Sequence, residues 1–299
     1  MRSRPVRPLA ICACVVAALL SHAGTASPES TDVAELLRQT GAYVQQFEHD
    51  FALVVSDEAY KQRDRVDARP ERSRALQSEV FFMWLPEVNF WISVRNVLKL
   101  DGEPVPSSRE RLERALNGNA TGELRRTQFE RLRLEGSRFN VGFVWRTFND
   151  PMFALQVVDP LLQSRFLFKL AGRETVAGVD AWKLTWTEHR AGTLIVDGEG
   201  WDLFSTGATW VRKEDGVVVK TRLEVENRRR RTKGEVTVTY QHEPRLNLWL
   251  PYRMEEHYVQ RADKTALPAR LKEEIDCVAM YSNFRRFETE GRIVAPTHD

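Results

Sequence analysis

The C-terminal half of the chain alternates apolar and polar residues, and this pattern constrains the fold more than any other feature. Over residues 217–226 the side chains of one face are Val217, Val219, Thr221, Leu223 and Val225. Charged residues occupy the other face, and the stretches 236–241 and 252–258 repeat the pattern. Side chains alternate with period two along a strand, so the pattern predicts an antiparallel sheet with one packed face. That face must pack on helices, on a second sheet or on a ligand.

Residues 1–26 have the layout of an export signal. Three arginines precede an apolar stretch over residues 9–20, and small residues follow it. We predict cleavage after Ala26, with Ala23 as the alternative. The apolar stretch is shorter than the roughly 20 residues of a membrane span, which favours cleavage over an uncleaved anchor. The expected location is therefore the periplasm or the medium.

Removal of the signal changes the charge and the cysteine count. The whole chain has 44 Lys and Arg against 42 Asp and Glu, and cleavage removes three arginines and no acid. The mature chain is then nearly neutral, which gives no argument for a nucleic-acid partner. Only Cys277 remains, so no intrachain disulfide can form. The fold must be stabilised by its core.

The periodicity divides the chain into segments. After the signal, residues 27–164 are predicted to hold an N-terminal helix, strands and a helical insertion. Residues 165–290 are predicted to continue the same sheet as an antiparallel meander, and residues 291–299 to form a flexible tail. The predicted fold class is α+β: one large antiparallel sheet with the N-terminal helix and the helical insertions packed on one face.

Motifs of the common enzyme classes are absent from the sequence. There is no phosphate-binding glycine-rich loop, no G-x-S-x-G and no H-E-x-x-H. The histidines do not occur at metal-ligand spacings, so neither a metal nor a cofactor is predicted. Cys277 lies inside a predicted strand, where a buried hydrophobic role is more common than a nucleophilic one.

Glu256 is the one carboxylate that the alternation places on an apolar face. It shares that face with Tyr252, Met254 and Tyr258, and a buried carboxylate needs a partner or loses its charge. The candidate partners are Arg285, Arg286 and Lys183. We favour a structural ion pair or a tyrosine hydrogen bond over the alternative, a group that orients a ligand inside a cavity.

A basic turn lies between two predicted strands. Its arginines are Arg228, Arg229, Arg230 and Arg231. Contact with an anionic membrane surface is one interpretation. A solvated hairpin tip is the other, and we favour it.

Bulky residues on the packed strand faces are the candidates for binding an apolar ligand. The candidate residues are Trp182, Leu184, Trp186, Leu223, Tyr240, Tyr252, Met254, Glu256 and Tyr258. Aromatic-lined concavities hold apolar ligands, although the same residues would also make an ordinary core.

Several segments resemble the bacterial periplasmic half-barrel proteins of the LolA-like, lipoprotein-sorting type. The turn and strand over 172–184, the step over 207–218 and the runs 248–254 and 281–287 are similar to pieces of these proteins and of uncharacterised secreted relatives. The resemblance covers about residues 165–290. It implies a curved half-barrel sheet whose concave face holds acyl chains under a helical lid, and a lipid or lipoprotein as partner.

Three functions follow from these observations. The first is a secreted or periplasmic non-enzymatic protein that binds or carries an acyl-chain-like ligand. The second is an envelope interaction protein with a solid core and no ligand. The third is a hydrolase with Glu256 and a histidine as its working pair, which ranks last because the sequence displays no positioned acid–base pair.

Overall fold

A computed structural model describes residues 32–293, except 52, 68, 89, 107–108, 143, 145, 147, 264, 266–270 and 289–291. The side chains of 49, 51, 53, 90, 287, 288, 292 and 293 are also outside the description. The export signal that the sequence predicts over residues 1–26 lies outside the described residues. No helix within the described residues has the length and apolar character that a membrane span requires.

The architecture is one antiparallel sheet that curves without closing into a barrel. Its strands are β1 (Leu53–Val66), β2 (Arg72–Leu85), β3 (Phe90–Leu100), β4 (Glu103–Pro104), β5 (Phe166–Val176), β6 (Val179–Glu188), β7 (Ser205–Val211), β8 (Val218–Asn227), β9 (Thr232–Glu243), β10 (Leu248–Gln260), β11 (Glu273–Glu288) and β12 (Arg292–Ile293). The order across the sheet is β4-β3-β2-β1-β11-β10-β9-β8-β7-β6-β5, and β12 pairs with β11 inside the segment predicted as a tail. The predicted fold class, α+β with one large antiparallel sheet, is confirmed.

Strands that follow one another in sequence are paired in the sheet, except β4 and β5, which lie at its opposite edges. β1 pairs with β11, so the two ends of the meander meet in the middle of the sheet. The predicted strand near 193–197 is only an isolated bridge between Val196 and Asp202. Buried residues alternate with more exposed ones along β8 and β9, as predicted, and β10 follows the same alternation from Met254 onward.

In the described part of the chain, three α-helices accompany the sheet: α1 (Val33–Phe51), α2 (Arg109–Asn117) and α3 (Gly122–Ser137). Asp32 caps the start of α1, because its carboxylate Oδ1 accepts a hydrogen bond from the N–H of Ala34 at 2.9 Å. Short 3-10 turns occupy Pro86–Val88, Phe153–Val158 and Gln163–Arg165.

The helices lie on both faces of the sheet, which corrects the prediction that they share one face. Val80 and Phe82 of β2 pack in one buried cluster with Phe47 of α1. Phe81, on the other face of β2, packs in a second cluster with Phe129 of α3. The physical reason is the unbroken apolar run over residues 80–85, which makes both faces of β2 apolar, so both need a cover. We call the face under α1 the inner face.

An irregular segment crosses the inner face. The described residues of 139–158, all but 143, 145 and 147, lie between α3 and β5 and contain turns and one 3-10 turn; we call them the covering segment. Phe148, Met152, Leu155 and Val157 of this segment are buried in the main core cluster. The inner face is therefore covered by α1 and the covering segment rather than by a second sheet.

Candidate functional site

Most of the predicted ligand-binding residues lie together on the inner face. Trp186, Leu223, Tyr240, Met254 and Tyr258 are buried in the main core cluster. Leu184 is buried next to them in a smaller cluster with Leu36 and Val211, and Trp182 packs at its margin. The structure therefore brings together the predicted apolar set, whereas their role as ligand contacts stays a prediction.

Tyr252 is the exception, because it is 40% exposed. The pairing of β9 with β10 shifts by one residue between Pro251 and Arg253, so Tyr252 has no partner across the ladder. Such a bulge moves the extra residue off the face that strict alternation assigns. The placement of Tyr252 on the packed face is therefore wrong, whereas Met254, Glu256 and Tyr258, which follow the bulge, are buried as predicted.

Glu256 lies in the middle of the sheet on the inner face. It pairs with Val236 of β9 and with Cys277 of β11. Its carboxylate accepts hydrogen bonds from the hydroxyls of Tyr60 at 2.8 Å and Tyr258 at 2.6 Å. Both oxygens are thus bonded inside the core, as a buried carboxylate requires.

Arg146 of the covering segment supplies the positive charge. Its guanidinium lies 4.0 Å from the Glu256 carboxylate, and both side chains are fully buried. Nη1 donates to the Tyr60 hydroxyl at 3.0 Å and to the Cys277 sulfur at 3.1 Å. Nη2 donates to Gln62 Oε1 at 3.1 Å and to the carbonyl of Val141 at 2.6 Å. Tyr60 therefore links the two charges, since it accepts from Arg146 and donates to Glu256.

Burial keeps Tyr60, Tyr258 and Cys277 protonated at neutral pH. Burial, together with the neighbouring Glu256 carboxylate, raises the pKa of Tyr60 and of Tyr258 well above the ordinary value. Burial also raises the pKa of the Cys277 thiol to about 12, so the thiol stays protonated at neutral pH. Such a cysteine is a poor nucleophile, in line with the buried role that the sequence predicts.

The predicted partners of Glu256 are wrong. Arg285 binds Asp57 and Glu79, and Lys183 binds Glu174. Arg286 donates to the carbonyl of Asp50. Arg146 was missed because it arrives from an irregular segment, for which periodicity makes no prediction. The only sequence signal was the general need of a buried carboxylate for a cation.

A second buried ion pair lies beside the first. Arg95 of β3 binds Glu58 of β1 through Nε at 2.5 Å and Nη2 at 2.8 Å. The Arg95 guanidinium carbon also lies 4.5 Å from the centre of the Tyr60 ring. Glu58 and Arg95, with Ser93, Asn140, Asp150 and Tyr281, line a polar cavity of about 30 Å³ beneath the covering segment. That volume suits about two water molecules.

Side-chain hydrogen bonds hold the covering segment to the sheet at several points. Gln62 of β1 donates to the carbonyl of Phe139 at 3.0 Å. The Asp150 carboxylate accepts from the N–H and the hydroxyl of Ser93 on β3 at 2.9 and 2.7 Å. The Tyr240 hydroxyl on β9 donates to the carbonyl of Pro151 at 2.7 Å. The segment thus spans the inner face from β3 to β9.

The buried carboxyl of Glu48 on α1 makes the stability of the fold depend on pH. It is 8% exposed, and burial together with the nearby Asp159 raises its pKa to about 7. A carboxyl whose pKa is raised in the folded state stabilises the fold fully below its unfolded pKa and loses that effect as pH rises through the folded value. We expect wild-type stability to fall between about pH 5 and pH 8.

The Glu48→Gln variant tests this expectation. The free energy of unfolding of this variant should decrease less between pH 5 and pH 8 than that of wild type. At pH 8 the variant should be more stable than wild type by roughly 1–2 kcal/mol, after allowance for solvent screening. Urea titrations at both pH values measure it, with the exposed Glu103→Gln as the control. Parallel pH profiles for wild type and Glu48→Gln would contradict the prediction.

The arginines of the β8–β9 turn are paired with acidic residues. Arg229 and Arg230 contact Glu199 at 3.4 and 2.7 Å. Arg228 lies 3.7 Å from Glu226, and Arg231 lies 3.7 Å from Asp263. All four side chains remain substantially exposed. Contact with an anionic membrane stays a prediction.

A group of possible metal ligands lies away from the inner face. His257, Glu274 and Asp276 place one ligand atom each within 4.8 Å of one another. Arg65 already contacts both carboxylates, at 3.2 Å for Glu274 and 2.5 Å for Asp276. The arginine supplies the positive charge that the cluster needs.

No protein-family model matches the chain. A search of curated proteins also finds no match.

Solved structures with a similar arrangement do exist. An outer membrane lipoprotein-sorting protein domain from Vibrio parahaemolyticus is 9% identical, with a TM-score of 0.39 over 84% of this chain and 93% of that chain. A LolA superfamily protein from Nitrosomonas europaea is 12% identical, with a TM-score of 0.32 over 87% and 95%. The lipoprotein LppX from Mycobacterium tuberculosis is 11% identical, with a TM-score of 0.31 over 89% and 100%.

The half-barrel proteins named by the resemblance are thus among the similar structures. TM-scores below 0.5 do not carry function from those proteins to this chain.

Proposed function

We propose that the protein is a non-enzymatic periplasmic or secreted carrier that binds one acyl-chain-like molecule on its inner face. The ligand contacts would be Trp186, Leu223, Tyr240, Met254 and Tyr258, with Leu184 and Trp182 at one end. The ligand would enter when the covering segment moves off the inner face. A lipid or the acyl group of a lipoprotein has the chemistry that such a surface binds.

The observation that carries this proposal is the irregular structure of the covering segment. Residues 148–158 lie on the apolar inner face without a strand ladder or an α-helix, apart from one 3-10 turn. They are attached by buried side chains, among them Phe148 and Met152, and by individual side-chain hydrogen bonds, such as those of Ser93 to Asp150 and Tyr240 to Pro151, rather than by a backbone ladder. A segment held in this way can open at a lower cost than a strand in the sheet.

Phe148 is the residue that best tests the opening. Its ring centre lies 6.0 Å from that of Tyr258, and it packs against Gly234, where a Cβ atom would approach Phe148 Cζ to 2.7 Å. Gly234 therefore leaves the space that this aromatic contact needs. Loss of the Phe148 ring would weaken the packing of the covering segment on the inner face without changing the charge of the core.

We expect protein purified from its native envelope to release an acyl-chain molecule on organic extraction, with the matching mass increase in native mass spectrometry. We also expect Phe148→Ala to bind a fluorescent fatty acid about tenfold more tightly than wild type, because its open form is more populated. Leu124→Ala removes an exposed apolar side chain on α3, away from the inner face, and should bind like wild type. A bare native protein, together with equal binding by both variants, would contradict the proposal.

An envelope interaction protein with a solid core is the second candidate. The observation in its favour is that the predicted ligand contacts are buried against other described residues of the chain, and the polar cavity lined by Glu58 and Arg95 measures about 30 Å³. Drug-sized ligands occupy pockets of about 300 Å³ or more. The extraction experiment separates the two candidates, since the second predicts no bound molecule.

The hydrolase hypothesis has no support from the geometry. Both carboxylate oxygens of Glu256 are bonded to tyrosines, and no described histidine hydrogen-bonds to it. His242 contacts Asn247, and His257 contacts Asp276.

A further inference from the structure

Two neighbouring loops form an exposed surface that combines aromatic and basic residues. The loop between β6 and β7 contributes residues 195–204, and the β8–β9 turn contributes residues 227–231. We call these two segments together the tip platform. Trp201 is 56% exposed, Phe204 49% and Val196 45%. The side chains of Arg228 to Arg231 are between 41% and 90% exposed.

Hydrogen bonds hold the two loops as one unit. Asp197 Oδ1 accepts from the N–H groups of Glu199 and Trp201 at 2.9 and 3.0 Å. Asp197 Oδ2 accepts from the Asn227 side-chain amide at 3.1 Å, which joins the two segments. Asn227 Oδ1 in turn accepts from the N–H of Arg230 at 2.9 Å. Asp197 and Asn227 therefore fix both loops before any partner binds.

The aromatic and basic groups lie in contact with each other. The Arg229 guanidinium carbon lies 4.5 Å from the centre of the Trp201 ring. Glu199 neutralises part of the charge, since it contacts both Arg229 and Arg230. A solvated hairpin tip would account for the arginines but leaves the exposed Trp201 and Phe204 unexplained.

We propose that the tip platform docks on a membrane surface containing anionic lipids, with Trp201 and Phe204 entering the headgroup region and Arg228 to Arg231 contacting the lipid phosphates. Tryptophan favours the membrane–water interface, and each basic residue near an anionic surface adds attraction. Glu199 then acts as an internal counter-charge that limits the strength of docking. This docking is independent of any cargo on the inner face.

Vesicle co-sedimentation tests the proposal with the mature protein. The probes are phosphatidylcholine vesicles with and without phosphatidylglycerol, at low and at high salt. Wild type should bind only the anionic vesicles, and high salt should weaken binding. Arg229→Gln/Arg230→Gln should weaken binding by about fivefold per arginine. Trp201→Ala should weaken it about tenfold.

The direction in which Glu199→Gln changes binding to anionic vesicles is the most discriminating result. It should strengthen binding about fivefold, because two arginines lose their intramolecular partner. Glu214→Gln makes the same change in net charge in the β7–β8 turn, at the opposite end of β8, and should bind like wild type. Tyr252→Ala removes an exposed ring away from the tip platform and should also bind like wild type.

Three outcomes would overturn the proposal. The first is that no variant, nor wild type, binds anionic vesicles, as expected if the surface serves a protein partner. The second is that Glu214→Gln strengthens binding as much as Glu199→Gln, which would show unspecific attraction to net charge. The third is that Trp201→Ala binds like wild type. Thermal melts of each variant establish that it is folded.

Discussion

Arg146→Met is expected to lower the free energy of unfolding by about 3–5 kcal/mol. The arginine makes four hydrogen bonds, and it is the cation 4.0 Å from the buried Glu256 carboxylate. Methionine fills similar space but leaves the carboxylate with two tyrosine hydroxyls and no positive charge. A buried charge without its partner is among the most costly defects in a core. Urea denaturation at neutral pH measures the loss.

Two comparisons separate this effect from a general loss of packing. Arg131→Met changes an exposed arginine of α3 and should alter stability by less than about 0.5 kcal/mol. The double variant Arg146→Met/Glu256→Gln should be more stable than Arg146→Met alone, because the unpaired charge is gone. A double variant less stable than Arg146→Met would show that the two side chains are not coupled as the contacts imply.

Gly207→Ala is expected to cost at least about 3 kcal/mol, at the upper end of the range for an added methyl group in a packed core. Gly207 lies on β7 opposite Trp186 of β6 and Leu223 of β8. A Cβ atom at this position would lie 2.0 Å from the carbonyl oxygen of Arg222 and 2.4 Å from Trp186 Cζ2. The first contact involves backbone inside the sheet, so no side-chain rotation relieves it.

Thr206→Ala is the matched control, because Thr206 is the exposed neighbour on the same strand. It should change stability by less than about 0.5 kcal/mol in the same denaturation experiment. If Gly207→Ala unfolds at the same urea concentration as Thr206→Ala, the close approach of Trp186 to β7 is wrong.

The sheet could be predicted from the sequence because its signal is local. Each of the strands β8, β9 and β10 has one wet face and one packed face, and alternation follows from strand geometry alone. The position of Met254 and Tyr258 on the inner face follows from the same rule. The break of that rule at Tyr252 had a signal too, since Pro251 cannot donate to a ladder and marks bulges.

The polar core could not be predicted, because its members come from distant parts of the chain. Arg146 is 86 residues from Tyr60 and 131 from Cys277 in sequence. The covering segment has neither helical nor strand periodicity, so no pattern places it on the inner face. The apolar run 80–85 did indicate burial on both faces of β2, and it could have predicted α2 and α3 opposite α1.

The open edge of the sheet at β5 affects whether copies of the protein aggregate when they are concentrated. An edge strand offers free N–H and C=O groups that can template the strand of another molecule. Between Leu170 and Arg173 the pairing of β5 with β6 shifts, and Gly172 has a φ of +110° there. This irregularity divides the edge into two short pieces. At β5 a second copy would find no long straight edge to extend, which protects this open edge against aggregation.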